Sequence, residues 1–509
     1  SAGPNENFVN LLHLFWGEAI NHDMDETPQT STQPLAIKVP SCDRFFGAPS
    51  HSPSTGFYTG VAKTYIGGCN STSADLIEAP TGCTGFQASI AFQRSKIAVG
   101  TGTSTPRLPP NEVSHYLDLS WMYGSTETPS SVSGCKFEFT TYEEPVSRAR
   151  LQGWFRVTGD VRINQNPLAY AIHEIFIREH NRLCDEYFES NPDWTDEVRY
   201  QEVRRMVIAM WQKISSREYL SALLGEPLPP YTGYNSSVDP RVDVFFATVA
   251  FRYGHAAMRS QLERVDNNND EIPEGHVLLR DVFWKPGQFL HKLQSSEHDM
   301  IASYLRGSAN QREGSVGPKL VDDLRNFLFL DDKNGLDLLS IDIQRGRDHG
   351  MPPYNSVRQR LGLAPVSSFS EISSMPEIVS ALQELYATVD DIDVWVGCVC
   401  EDHIQGASVG ETFHAGIIEQ FLRTRDGDRF WYENPDQFTT EEINTIYGTT
   451  LHDLVTRNFD VSTEAFPLSG FFTLNRQLEN LASTTFFEEF PSSFDEVIDL
   501  SSLYRLAYR

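Results

Sequence analysis

No stretch of this 509-residue chain is apolar for long enough to cross a bilayer as a helix, and it has no internal repeat or low-complexity tract. No transmembrane segment is therefore expected, and repeat architectures are excluded. Basic residues are scarce: 41 Lys and Arg stand against 69 Asp and Glu, a formal charge of −28. A surface that negative repels nucleic acid and anionic lipid and tolerates cationic or neutral substrates. Cysteine is sparse too. Seven residues are too few for a disulfide scaffold, and their spacing is unlike a zinc site. The odd number leaves at least one thiol unpaired or bridged to another chain, and Cys398 and Cys400 are too close to pair easily. Glycine (34) and proline (28) are not gathered into a linker, so one large domain over 1–509 is expected, with at most a loosely attached C-terminal portion.

What is present points outside the cell. Cys42, Cys69 and Cys83 lie in a Gly/Ser/Thr-rich segment suited to disulfide-stapled loops. Asn70-Ser71-Thr72 and Asn235-Ser236-Ser237 are glycosylation sequons, and Ser1 looks like the terminus left by a removed signal peptide. A secreted protein is the expectation.

The densest chemistry lies near the start, in Gly17-Glu18-Ala19-Ile20-Asn21-His22-Asp23-Met24-Asp25. It follows Phe8, Leu11, Leu12 and Phe15, whose spacing predicts a helix over 6–22. Core helices rarely carry so many polar groups, so the stretch reads as one wall of a reactive site. Residues 28–110 read mostly as loop. In Ser114-His115-Tyr116-Leu117-Asp118-Leu119-Ser120, oxygen-bearing side chains alternate as a hard cation would want, although the residues alone read more simply as an Asp/Ser-rich turn. Asn166-Pro167 predicts an N-cap and first helical residue for a helix to about Tyr187, with Arg162 on the turn before it. A further amphipathic helix is expected over 196–222. Asp239-Pro240 opens another, with Val244, Thr248, Phe251 and His255 on one face. Gly254 beside His255 suggests a bulky ligand lying over the backbone. Gln344 to Pro353 reads as a tight loop whose charges pair internally, and from Pro376 onward helical patterns alternate with acidic turns.

Six segments then carry a resemblance: Trp16–Pro28, SHYLDLSWMYGS at 114–125, IREHNRL at 177–183, FRYGH at 251–255, DIQRGRDHGMPPYN at 342–355 and RDGDRFWYEN at 425–434. In this order they resemble the animal-type haem peroxidases of the peroxidase–cyclooxygenase superfamily, on the peroxinectin and peroxidasin side. The resemblance covers nearly all of the chain. It implies a mainly α fold, a single large domain with haem b buried between helices. It also implies reduction of hydrogen peroxide through a ferryl porphyrin-radical intermediate, with one-electron donors such as phenols. His255 matches the proximal iron ligand, and Asp342 the partner of its imidazole N–H. Many relatives have Asn at that place, so a comparatively low Fe(III)/Fe(II) potential is expected. His22 matches the distal histidine, which moves the peroxide proton, and Arg162 the distal arginine, which stabilises the charge of O–O cleavage. Arg252 and Arg345 match propionate contacts, and Asp25 falls among the haem-side groups. Asp23, Ser114, the Tyr116 carbonyl, Asp118 and Ser120 match a calcium set, which reverses the simpler reading of that turn.

The departures are as informative. Relatives commonly esterify haem through an Asp just before the distal His and a Glu three residues after the distal Arg; here those positions are Asn21 and Gln165. Asn166 stands where one relative has a sulfonium-forming Met. Non-covalent haem is expected. Glu18 replaces a Gln that helps hold halide, so an ionised Glu18 would oppose chloride or bromide oxidation. Fatty-acid dioxygenases of the superfamily use a Tyr three residues before the proximal His. Arg252 occupies that place and Tyr253 is out of register. A peroxinectin-like adhesion role lacks an Arg-Gly-Asp tripeptide.

Overall fold

The structure is a computed structural model, and it describes residues 3–38, 89–101, 108–125, 132–139, 141–143, 154–289, 300–325, 327–328 and 336–474. Cys42, Cys69, Cys83 and the Asn70 sequon lie outside these residues, as does the chain beyond 474.

The element that positions the site is α1, Leu11–Met24. It begins later than the spacing predicts because Phe8 takes a left-handed φ of 61° and Asn10 caps the first turn, accepting from the His13 N–H. Every residue of α1 except Glu18 and Asn21 is buried. A helix buried nearly all round lies in the core, and here it takes His13, His22 and Asp23 in with it. It packs against α3 (Pro167–Ser190), the helix Met300–Asn310 and the short α7 (Gly254–Ala257).

α3 starts as the sequence predicts. Asn166 accepts from the Leu168 and Ala169 N–H groups, Pro167 fills the first position, and the helix runs three residues past Tyr187. The helix expected over 196–222 is instead α4 (Asp196–Ile214), a π turn at Ser215–Tyr219 and α5 (Leu220–Leu224). The π turn packs against α1, where Ser215 Oγ accepts from Trp16 Nε1 at 3.0 Å.

Four expectations are corrected. The segment expected to run as one helix from Asp239 begins at Val244 and is broken into α6 (Val244–Thr248), a 3₁₀ turn (Ala250–Arg252) and α7. Val249, at φ −129°, interrupts it, so Val244, Thr248, Phe251 and His255 share no continuous face. Gly254 makes room for protein rather than ligand: a Cβ there would lie 2.8 Å from Leu14 Cδ1 of α1. Residues 344–348, expected in a loop, are the end of the helix Leu338–Asp348, capped by Asp337. Their charges pair outward, Arg347 with Asp393 at 2.9 Å and Asp348 with Arg94. The expected loop over 28–110 contains an antiparallel pair, β1 (Gln29–Lys38) and β2 (Ser89–Ser95), with Leu35 opposite Phe92.

The C-terminal helices Val394–Cys400, Glu411–Asp426, Thr440–Gly448 and Leu451–Asn458 complete the core. Cys398 and Cys400 are free and buried. A disulfide joins Cys135 to Cys184 of α3. The fold is mainly helical, and its described strands form only two-stranded sheets.

Candidate active site

His22 lies on the last turn of α1, only 2% exposed, and its Nδ1 meets no hydrogen-bond partner. Burial, reinforced by the Arg162 charge, pushes the imidazole down to about 3. It is therefore neutral at ordinary pH and can accept a proton. Arg162 sits on the 3₁₀ turn Val161–Gln165 and reaches back to the end of α1. Its Nη1 donates to the Asp25 carbonyl at 2.8 Å and its Nη2 to the His22 carbonyl at 3.2 Å. Asp160 holds the other edge, accepting from Nε at 3.0 Å and from Nη2 at 2.6 Å. Burial opposes the Arg162 charge, but Asp160 outweighs it and keeps the guanidinium firmly protonated.

Glu18, one turn before His22, is bonded through both carboxylate oxygens to Asn166 Nδ2, at 3.1 and 3.0 Å. The Asn166 Oδ1 is already committed to capping α3, which fixes which end of the amide meets Glu18. Burial pushes the Glu18 carboxyl up to about 7, against the Asn166 bond and the Arg162 charge. The two departures at 18 and 166 are thus one contact. Asn21 bonds Asp25 through its side chain, whereas the backbone carbonyl of Gln165 accepts from the Trp284 N–H at 2.6 Å.

Asp23 points the other way, into the 114–120 segment. Its carboxylate accepts from the Ser120 N–H at 2.7 Å, Ser120 Oγ at 2.9 Å, the Leu119 N–H at 3.0 Å and Trp211 Nε1 at 2.9 Å. Ser114 Oγ donates to Asp118 at 2.7 Å, and the Tyr116 N–H to Ser114 Oγ at 3.0 Å. Burial and the neighbouring Asp118 charge raise Asp23 well above the usual carboxylate range. Two acidic groups, Asp23 buried and Asp118 half-buried, are gathered with the hydroxyls of Ser114 and Ser120, and a hard cation would neutralise their charge. The residues fit calcium.

On the other wall, His255 Nδ1 bonds Asp342 Oδ2 at 2.7 Å. The imidazole side chain is 27% exposed, and its Nε2 makes no hydrogen bond among the described residues. Arg345 is buried, donates to Ser95 Oγ at 3.2 Å and is pushed down to about 10, by burial first and then by Arg252. Arg252 Nη2 lies 3.9 Å from Asp25, whose buried carboxyl is raised by burial against that charge. Two guanidiniums held near each other suit the propionates of haem, and a histidine anchored by a carboxylate suits its iron.

Sequence reasoning missed Asp160, Trp211 and Asp428. An Asp two residues before an Arg at a turn is a legible N-cap signal for the first. Asp428, inside the RDGDRFWYEN segment, is pushed up to about 6 by burial, with Asp118 contributing. Nothing local marks Trp211.

A neutral, buried imidazole beside a fixed guanidinium, with a separate histidine–carboxylate pair and two neighbouring arginines, suits a haem oxidoreductase site. The animal haem peroxidase family profile matches residues 2–468, and the chain belongs to that family and is a haem peroxidase. It is 32% identical to peroxinectin A of Dictyostelium discoideum over 89% of this chain and 82% of that protein. Mouse thyroid peroxidase is 30% identical over 90% of this chain and 52% of its own length, so the chain spans about half of that relative. Among solved structures, peroxidase A from Dictyostelium discoideum superposes with a TM-score of 0.75 at 29% identity, over 93% of this chain and 88% of that one. A fatty acid alpha-dioxygenase of Arabidopsis thaliana, 17% identical with a TM-score of 0.70 over 93% of this chain and 75% of its own, shares the fold.

Proposed function

We propose that His22 and Arg162 carry the peroxide chemistry of this haem peroxidase, with electrons supplied by small donors such as phenols. The observation that carries this is the state of His22: buried, neutral, and beside a guanidinium that cannot give up its proton. Bound haem would supply the iron and the two electrons that reduce the peroxide. His22 would accept a proton from one oxygen of hydrogen peroxide and return it to the other, which leaves as water. Arg162 has five N–H groups; Asp160 and the His22 and Asp25 carbonyls engage all but one on Nη1, which is left to steady the developing charge. His255 would hold the iron, and Asp342 accepts its Nδ1–H, making the imidazole a stronger donor. Arg252 and Arg345 take the propionates, with Asp25 setting the position of Arg252.

Haem is held without covalent bonds, because the amides at Asn21 and Gln165 do not esterify as carboxylates do. Acidified organic solvent extracts it from the denatured chain; haem retained on the polypeptide in mass spectrometry contradicts this. Calcium is held by Asp23, Ser114, Asp118, Ser120 and the Tyr116 carbonyl, and ties the end of α1 to the 114–120 segment. Secretion is supported by the Cys135–Cys184 disulfide and the exposed Asn235 sequon. Residues 1–509 act as one unit.

The test is rapid mixing of haem-loaded protein with hydrogen peroxide, then with a panel of phenols, bromide and Mn(II). Phenols reduce the oxidised enzyme fastest and bromide poorly. Failure to react with peroxide sinks the proposal.

A further inference from the structure

Arg162 is gripped from a turn that is itself seated on the proposed cation loop. Gly159 has no room for a side chain. A Cβ there would lie 2.4 Å from the Ser120 carbonyl oxygen, 2.5 Å from the Gly124 nitrogen and 2.9 Å from the Trp121 carbonyl carbon. All three are backbone atoms of α2 (Ser120–Tyr123) or its cap, and none can rotate away. The next residue locks the contact: the Asp160 N–H donates to the Trp121 carbonyl at 3.0 Å. Ser120, at the start of α2, is the residue that donates both its N–H and its hydroxyl to Asp23.

Asp160 then does two things at once. It caps the 3₁₀ turn by accepting from the Arg162 N–H at 2.8 Å, and it forks onto Nε and Nη2 of the same residue. The guanidinium so aimed donates to the carbonyls of His22 and Asp25, which flank Asp23. The contacts close a ring: Asp23 to Ser120, α2 to Gly159 and Asp160, Asp160 to Arg162, and Arg162 back to the end of α1. In a close-packed ring whose links are backbone atoms and a charged fork, a shift at one link displaces the others.

We propose that Asp160 is a positioning residue for Arg162, and that the Gly159–Asp160 turn transmits the cation-filled or empty state of the Asp23–Ser120 loop to the guanidinium. This rests on the reading of Arg162 as the group that steadies charge at the iron. Calcium would then tune the arginine as well as hold the histidine helix.

The experiment measures fluoride binding to the ferric haem-loaded protein by absorbance, with calcium present and after chelation, a readout separate from turnover. Arg162→Gln serves as the control: if it leaves fluoride affinity unchanged, the reading of Arg162 itself fails. Given a loss there, Asp160→Asn is expected to weaken fluoride binding about tenfold, the scale at which partners that orient a reactive group are felt. Asp160→Glu is expected to recover part of that loss, because it restores the charged fork. Chelation is expected to weaken fluoride binding in the parent but to change it little in Asp160→Asn, where the link is already cut. Wild-type affinity in Asp160→Asn, or an equal response to chelation in both proteins, overturns the proposal. Gly159→Ala adds a test that tolerates partial unfolding: in its haem-free form, calcium should raise the melting temperature less than in the haem-free parent. An equal rise overturns the role of the turn.

Discussion

The two histidines of the site sit in opposite situations. His22 is sealed inside the last turn of a buried helix, with its Nδ1 unpartnered and its proton affinity pushed down to about 3. His255 lies in a helix of four residues, is part-exposed, and is bonded to Asp342 at 2.7 Å. A base that must take a proton and give it back cannot be committed to a strong partner, and must be neutral when peroxide arrives. A metal ligand needs the reverse, a second bond that fixes its tautomer and feeds it electron density. The surroundings follow suit. Arg162 meets the distal helix through backbone carbonyls and leaves the imidazole unburdened, whereas the proximal ring is tied to a carboxylate one helix away.

Removing the proximal commitment tests this contrast most strongly. Asp342→Asn should raise the Fe(III)/Fe(II) potential and slow peroxide turnover by about 10–100-fold, the usual cost of losing a partner behind a metal ligand. Redox titration with turnover assays checks it. An unchanged potential would mean that Asp342 only packs against His255.

A smaller effect sharpens the distal side. Glu18 titrates near 7, so it is neutral below that pH and anionic above it. Bromide oxidation should therefore fall as pH rises through 7, by about fivefold for roughly 1 kcal/mol of repulsion. Phenol oxidation should not show this fall. Glu18→Gln should flatten the bromide profile and leave Asn166 still capping α3. A bromide profile of the same shape in both proteins removes Glu18 from halide selection.

The distal wall was the more legible half in sequence. His22, Glu18 and Asp23 lie within one short run, and the Asn166-Pro167 start of α3 obeys local capping chemistry that needs no tertiary information. The proximal wall was misread locally although its residues were named. Val249 breaks the helical face that should have carried His255, and Gly254 answers to Leu14, a residue more than two hundred positions away. Such a close approach leaves no trace beyond the glycine itself. The charged run after Ile343 read as a loop because it is rich in glycine and charge. Packing against α6 and β2 holds it helical, and its ionic partners Arg94 and Asp393 come from distant segments. Trp211, the hydrogen-bond donor to Asp23, is invisible for the same reason.

The most direct test of the division between a free distal base and a committed proximal ligand is the bimolecular rate constant for hydrogen peroxide with haem-loaded His22→Ala, followed at the Soret band. The account predicts that haem stays bound and that the rate falls about 10²–10⁴-fold. A His22→Ala protein with intact haem that reacts with peroxide at the parent rate would contradict it.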